Sequence, residues 1–77
     1  MEINILAFGQ IEEIIGSNQI TLTDVLDTES LKKKLTDSYS EIVTIPYSIS
    51  VNKNIINGNH KLEDGDEVAL LPPFSGG

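Results

Sequence analysis

The sequence predicts an α+β roll: one main helix packed on a mixed sheet of four to five strands. Three observations carry that expectation. Strand-like runs lie at both ends of the chain, one helix-period segment sits between them, and 39% hydrophobic residues in a chain of 77 suffice for one compact core. A chain this short buries roughly 60% of the surface its unfolded form exposes, which leaves little room for an interior active site.

Ile3 to Phe8 begins with alternation and then turns apolar on both faces, the pattern of an inner strand covered on two sides. Gln10 to Ile15 reads as a short helical turn with Gly16 just past its end. Gln19 to Thr23 alternates and is rich in β-branched residues, so it forms a second strand and a hairpin with a long connection. Thr28 is the expected N-cap of the main helix, with Glu29 suited to the positive end of its dipole. Leu31, Leu35 and Tyr39 share one face while Lys32, Lys33 and Lys34 form a solvated surface, and the helix should end near Tyr39 or Ser40. Pro46 interrupts the next stretch. Ser48 to Asn52 alternates as a third strand, and Asn54 to Ile56 is a short fourth, ended by the Asn57-Gly58 turn signal. Leu62 to Asp66 is a tight turn with Gly65 at positive φ, and Glu67 to Leu71 is the last strand. The expected division is a domain over residues 1–71 and a flexible tail over 72–77.

Twelve Asp and Glu against five Lys and Arg leave a net charge of −7. Nucleic acid and anionic membrane surfaces are disfavoured, because both demand basic side chains. A protein partner with a basic docking surface suits this balance. The chain has no cysteine, which excludes a disulfide scaffold, a thiolate metal site and a Cys nucleophile together. Its apolar runs are too short to cross a bilayer, and Met1-Glu2 lacks the basic region of a secretory signal, so the expected location is cytoplasmic.

Conventional catalysis finds few parts. His60 beside Asn59 reads as a turn residue, and no serine triad is legible around it. Asp64, Asp66 and Glu67 lack the spacing of a calcium loop and read as turn and strand-start polars; no metal site is expected.

The end of the chain differs. After Leu71 it runs Pro72-Pro73-Phe74-Ser75-Gly76-Gly77. Two prolines stiffen the exit from the last strand, and at about 3.1 Å per residue the segment spans roughly 19 Å. Phe74 is a large apolar group where no core easily covers it, placed to anchor in a partner's pocket. Gly76 and Gly77 have no side chains, so they pass a narrow channel and leave a terminal carboxylate sterically free.

Leu62 to Gly77 is very similar to the ending of the small subunit of molybdopterin synthase, the MoaD family of ubiquitin-like sulfur carriers. Phe8 to Gly16 and Val51-Asn52 match it more weakly, and the resemblance spans essentially the whole chain. One departure is that Glu12 stands where that family often has Arg. The resemblance implies a β-grasp fold and a two-step cycle. A MoeB-like adenylyltransferase uses ATP to turn the Gly77 carboxylate into an acyl adenylate, and sulfur replaces the adenylate to leave a thiocarboxylate. Within a MoaE-like large catalytic subunit, in a heterotetramer, that sulfur passes to cyclic pyranopterin monophosphate. The chain itself is then no enzyme and holds no permanent cofactor. The expected partner-binding residues are Phe8, Ile55, Leu71, Pro72, Pro73, Phe74, Ser75 and Gly76. Phe8 and Leu71 alternate away from the core-facing Ile5 or Ala7 and Val68 or Leu70. Rival readings are a thiamine-pathway sulfur carrier, a ubiquitin-like protein modifier and a binding module with an inert tail.

Overall fold

The computed structural model describes residues 1–72. Five strands, β1 (Glu2–Ala7), β2 (Gln19–Thr23), β3 (Ser48–Val51), β4 (Asn54–Ile55) and β5 (Glu67–Leu71), join in one sheet of order β2-β1-β5-β3-β4. Its centre is a parallel pair, with Asn4 to Ala7 of β1 beside Glu67 to Leu70 of β5, and every other pairing is antiparallel. Parallel neighbours need a long crossover. Here it contains α2 (Thr28–Ser38) and the β3–β4 hairpin, and the first and last strands meet in mid-sheet.

One face of the sheet supplies the core. Ile3, Ile5, Ala7, Ile49, Val51, Val68 and Leu70 are buried and cluster with Ile11 and Ile15 of α1 (Gly9–Ile15) and with Leu31 and Leu35 of α2. Burying each such aliphatic side chain contributes about 1.5–3 kcal/mol. Tyr39, third in the expected helical stripe, is half-buried and caps the helix end, as the spacing predicts. A 3-10 segment, Ser40–Thr44, follows; it was not foreseen, and it brings the buried Ile42 back onto the core before Pro46. Gly16, at φ 87°, closes α1 in the left-handed conformation expected of it.

The start of α2 corrects one expectation. The N-cap is Asp27, whose carboxylate accepts from the Ser30 N–H at 2.8 Å. Thr28 is instead buried inside the helix. Its hydroxyl donates to Asn59 Oδ1 at 3.2 Å and accepts from the His60 N–H at 3.0 Å. Asn59 completes the arrangement by accepting from the Glu29 N–H at 3.0 Å and donating to Asp27 Oδ2 at 3.1 Å. The helix start is therefore satisfied partly from a loop about thirty residues away in sequence, which local pattern cannot reveal. His60 takes part through its backbone, consistent with the turn role read from the sequence.

Hydrogen bonds from Ser30, its backbone N–H foremost, and from the Asn59 amide hold the Asp27 carboxyl below the usual aspartate range. Asp27→Ala is expected to lower the thermal midpoint at neutral pH. Because the folded-state pKa lies below the unfolded one, the carboxylate's contribution is present above the ordinary aspartate pKa and is lost as pH falls through the folded value. The difference in Tm between wild type and variant should therefore shrink in acid. A pH-independent difference in paired melting curves would rule out the charge as its source.

Candidate docking face and tail root

The alternation that buries one face of the sheet turns a second set of side chains outward. Across the strands, Gln19, Leu6, Ala69, Ser50 and Ile55 fall in one transverse row, and Leu71 pairs with Ser48 in the next. Leu6, Ala69 and Leu71 are half-buried, Ile55 is 65% exposed, and Phe8, one alternation beyond Leu6, is 44% exposed. The buried helix residues Ile11, Ile15, Leu31 and Leu35 cluster with the inner face instead. The expectation that β1 is covered on two sides needs correction: it has strands at both edges, but only its inner face meets the core. Its continuous apolar run reflects an outward apolar surface rather than a second covered layer.

Of the expected partner-binding residues, Phe8, Ile55 and Leu71 thus lie on the outward side, while Ile5, Ala7, Val68 and Leu70 point into the core as the alternation required. Leu6 and Ala69 belong to the same surface and were not singled out. Their parity with Phe8 and Leu71 was the available signal. Pro72 is half-buried at the end of β5. Gly9, at φ 56°, lies so close that a Cβ there would sit 3.3 Å from Pro72 Cγ. The glycine thus serves two needs, a left-handed backbone at the exit of β1 and close approach to the tail's root. Pro73, Phe74, Ser75, Gly76 and Gly77 lie outside the described residues.

Beside Phe8 is a hollow of about 190 Å³, lined also by Leu6, Ala7, Glu12, Asn18 and Gln19. Glu12, the departure from the resembled family's Arg, therefore borders the outward face and places an acidic group there. Acidic residues gather at the opposite end of the central strands in structural roles. Asp64 Oδ1 accepts from the Glu2 N–H, and Asp66 accepts from the Glu63 N–H at 2.9 Å and from Asn52 Nδ2 at 3.0 Å. Asn52 and Lys53 carry positive φ in the two-residue β3–β4 turn, and Asn52 Oδ1 also accepts from the Glu67 N–H at 3.0 Å. These carboxylates are engaged in the turn, and no group of His, Cys, Asp and Glu that could hold a metal ion occurs among the described residues. Nor is any described helix long and apolar enough to cross a membrane.

A five-stranded mixed sheet with a parallel central pair and one main helix across its inner face defines a ubiquitin-like β-grasp domain. The chain belongs to the ThiS family, whose model matches residues 5–77. It is 32% identical over 83 residues to the molybdopterin synthase sulfur carrier subunit of Chlamydomonas reinhardtii, covering all of both chains. Among solved structures, it is similar to a chain of the complex of subunits 1 and 2 of the molybdopterin-converting factor from Helicobacter pylori. That match has a TM-score of 0.75 and 28% identity, with both chains fully covered. The crystal structure of SAMP1 from Haloferax volcanii also superposes, with a TM-score of 0.82 and full coverage of both chains; at 19% identity this likeness concerns the fold alone.

Proposed function

We propose that the chain is the sulfur-carrying small subunit of a molybdopterin synthase and acts through the carboxylate of Gly77. The observation that carries this reading is an apolar patch on the outer face, Ile55, Ala69, Leu6, Leu71 and Phe8, beside the Pro72 root of a diglycine tail. It is supported by end-to-end similarity to a sulfur carrier subunit of that synthase.

The chemistry follows from what a carboxylate lacks. It is a poor electrophile until it carries a good leaving group. A MoeB-like adenylyltransferase supplies one by joining the carboxylate to the adenylyl group of ATP and releasing pyrophosphate. A sulfide-level sulfur nucleophile then attacks the acyl carbon and the acyl–oxygen bond to AMP breaks, leaving a thiocarboxylate. The MoaE-like large subunit, in a heterotetramer, positions that nucleophile against cyclic pyranopterin monophosphate. Residues 1–71 act as the grip and 72–77 as the arm, and the chain works in the cytoplasm as a co-substrate rather than a catalyst. The net charge of −7 favours encounter with basic partner surfaces.

Intact mass spectrometry tests the reading on protein isolated from cells that contain the activating partner. Replacement of one C-terminal oxygen by sulfur is the expected result. Isopeptide-linked conjugates without that replacement would instead support a protein modifier, the rival that the shared β-grasp fold leaves open. Within the tail, Phe74→Ala is expected to weaken binding to the large subunit by at least about tenfold, the range in which truncation of a buried aromatic anchor falls. Titration calorimetry with the wild-type and variant chains would show it, and equal affinities would remove Phe74 as an anchor.

A further inference from the structure

We propose that Asn57 is a spontaneous deamidation site, where the folded chain exchanges an amide for a carboxylate without an enzyme. The reaction needs a side-chain amide, a following residue that offers little steric hindrance, and a backbone N–H free to give up its proton. The Gly58 nitrogen, deprotonated by base, attacks Asn57 Cγ. Ammonia leaves and a succinimide closes. Water then opens the ring at either carbonyl, giving aspartate or isoaspartate.

The fold meets these needs at one place and blocks them at others. Asn57 and Gly58 are both exposed, Gly58 takes φ 76°, and its N–H donates to no backbone carbonyl of the described residues. Asp64-Gly65 is the matching acidic dipeptide, able to close the same ring with loss of water. There the Gly65 N–H is held by Glu2 O at 2.7 Å and Asp64 Oδ1 by the Glu2 N–H, which removes both reacting groups from play. Asn59 has its amide tied to Asp27 and to the start of α2. Asn52 is likewise fixed at both ends, by Asp66 and by the Glu67 N–H.

Deamidation here has structural consequences. Asn57 lines a hollow of about 230 Å³ together with Lys32, Tyr47 and Ile55, so the new carboxylate shares a surface with the Lys32 ammonium and an outward-face residue. An isoaspartate also adds one carbon to the main chain two residues before Asn59, which secures the helix.

Purified full-length protein, held folded at mildly alkaline pH, should yield an acidic form about one mass unit heavier. Electron-transfer fragmentation should place the change at Asn57, and Asn57→Gln should eliminate it. Gly58→Ala should slow it about tenfold or more, because the added Cβ hinders ring closure. In urea, Asp64 should begin to isomerise as its native hydrogen bonds are lost. An acidic form that persists in Asn57→Gln, or that maps to another asparagine, would overturn the assignment. Equal isomerisation of Asp64 in folded and unfolded protein would overturn the claim that backbone tethering decides between the sites.

Discussion

Deletion of Gly77 is expected to abolish sulfur loading and cofactor synthesis while leaving the unfolding midpoint unchanged. The two halves of that outcome have separate causes. All the buried hydrophobic residues of the described core lie between Ile3 and Leu70, and a glycine has no side chain to add to them. Stability should hold within about 0.5 kcal/mol, the usual range for changes away from core, caps and strained backbone. The chemistry depends on reach. Deletion leaves a carboxylate on Gly76, but displaces it by about 3.3–3.6 Å along an extended chain. A misplacement of about 1 Å can already cost a hundredfold in a positioned reaction, so more than that should be lost here.

A C-terminal extension makes the control sharper. It preserves every native residue but turns the Gly77 carboxylate into an amide, which cannot be adenylated. Both variants should melt like the wild type, bind the large subunit through the outward face, and acquire no sulfur by intact mass. Normal cofactor production by the uncleaved extended chain would sink the proposed role of Gly77. Loss of activity together with loss of folding would point to a structural tail instead.

Much of the fold was legible because its signals were local. Gly16 and Gly65 marked a helix end and a turn and have φ 87° and 86°. The alternation of Val68 and Leu70 with Ala69 and Leu71 placed β5 within its observed bounds. What escaped was set by contacts distant in sequence. Asp27 displaced Thr28 as N-cap because Asn59 and His60 give the Thr28 hydroxyl other partners, drawing it into the fold. The Ser40–Thr44 segment is held by burial of Ile42 rather than by any helical period of its own. The outward face was half legible. Parity could sort Phe8 and Leu71 from the core, but an apolar run on two faces reads the same whether a helix or another protein covers the second one. The diglycine chemistry depended on resemblance, since glycine's lack of a side chain allows a reaction without specifying it.

Phe8 offers a direct way to separate packing from docking. It immediately precedes α1 as the N-cap, with an extended backbone at φ −133° and ψ 154°, yet its side chain makes no capping hydrogen bond. Asp is among the residues most favoured at an N-cap, where a carboxylate suits the positive end of the dipole; here the Ile11 N–H already donates to Phe8 O at 3.1 Å and Gly9 opens the helix at φ 56°, so any gain is small. Phe8→Asp is therefore expected to leave Tm unchanged or to raise it. The same substitution puts a charge at one end of the apolar patch, beside Leu6 and Glu12. If that face is the grip for the large subunit, burying an unpaired carboxylate there should cost 2 kcal/mol or more, about thirtyfold in affinity. Differential scanning calorimetry and titration calorimetry on one preparation read both effects. Weaker binding with undiminished stability would assign Phe8 to the interface, and would identify its place ahead of α1 as one where binding has overridden helix capping. Reduced stability with unchanged affinity would make Phe8 a packing residue and require the docking face to be redrawn around Ile55 and Ala69.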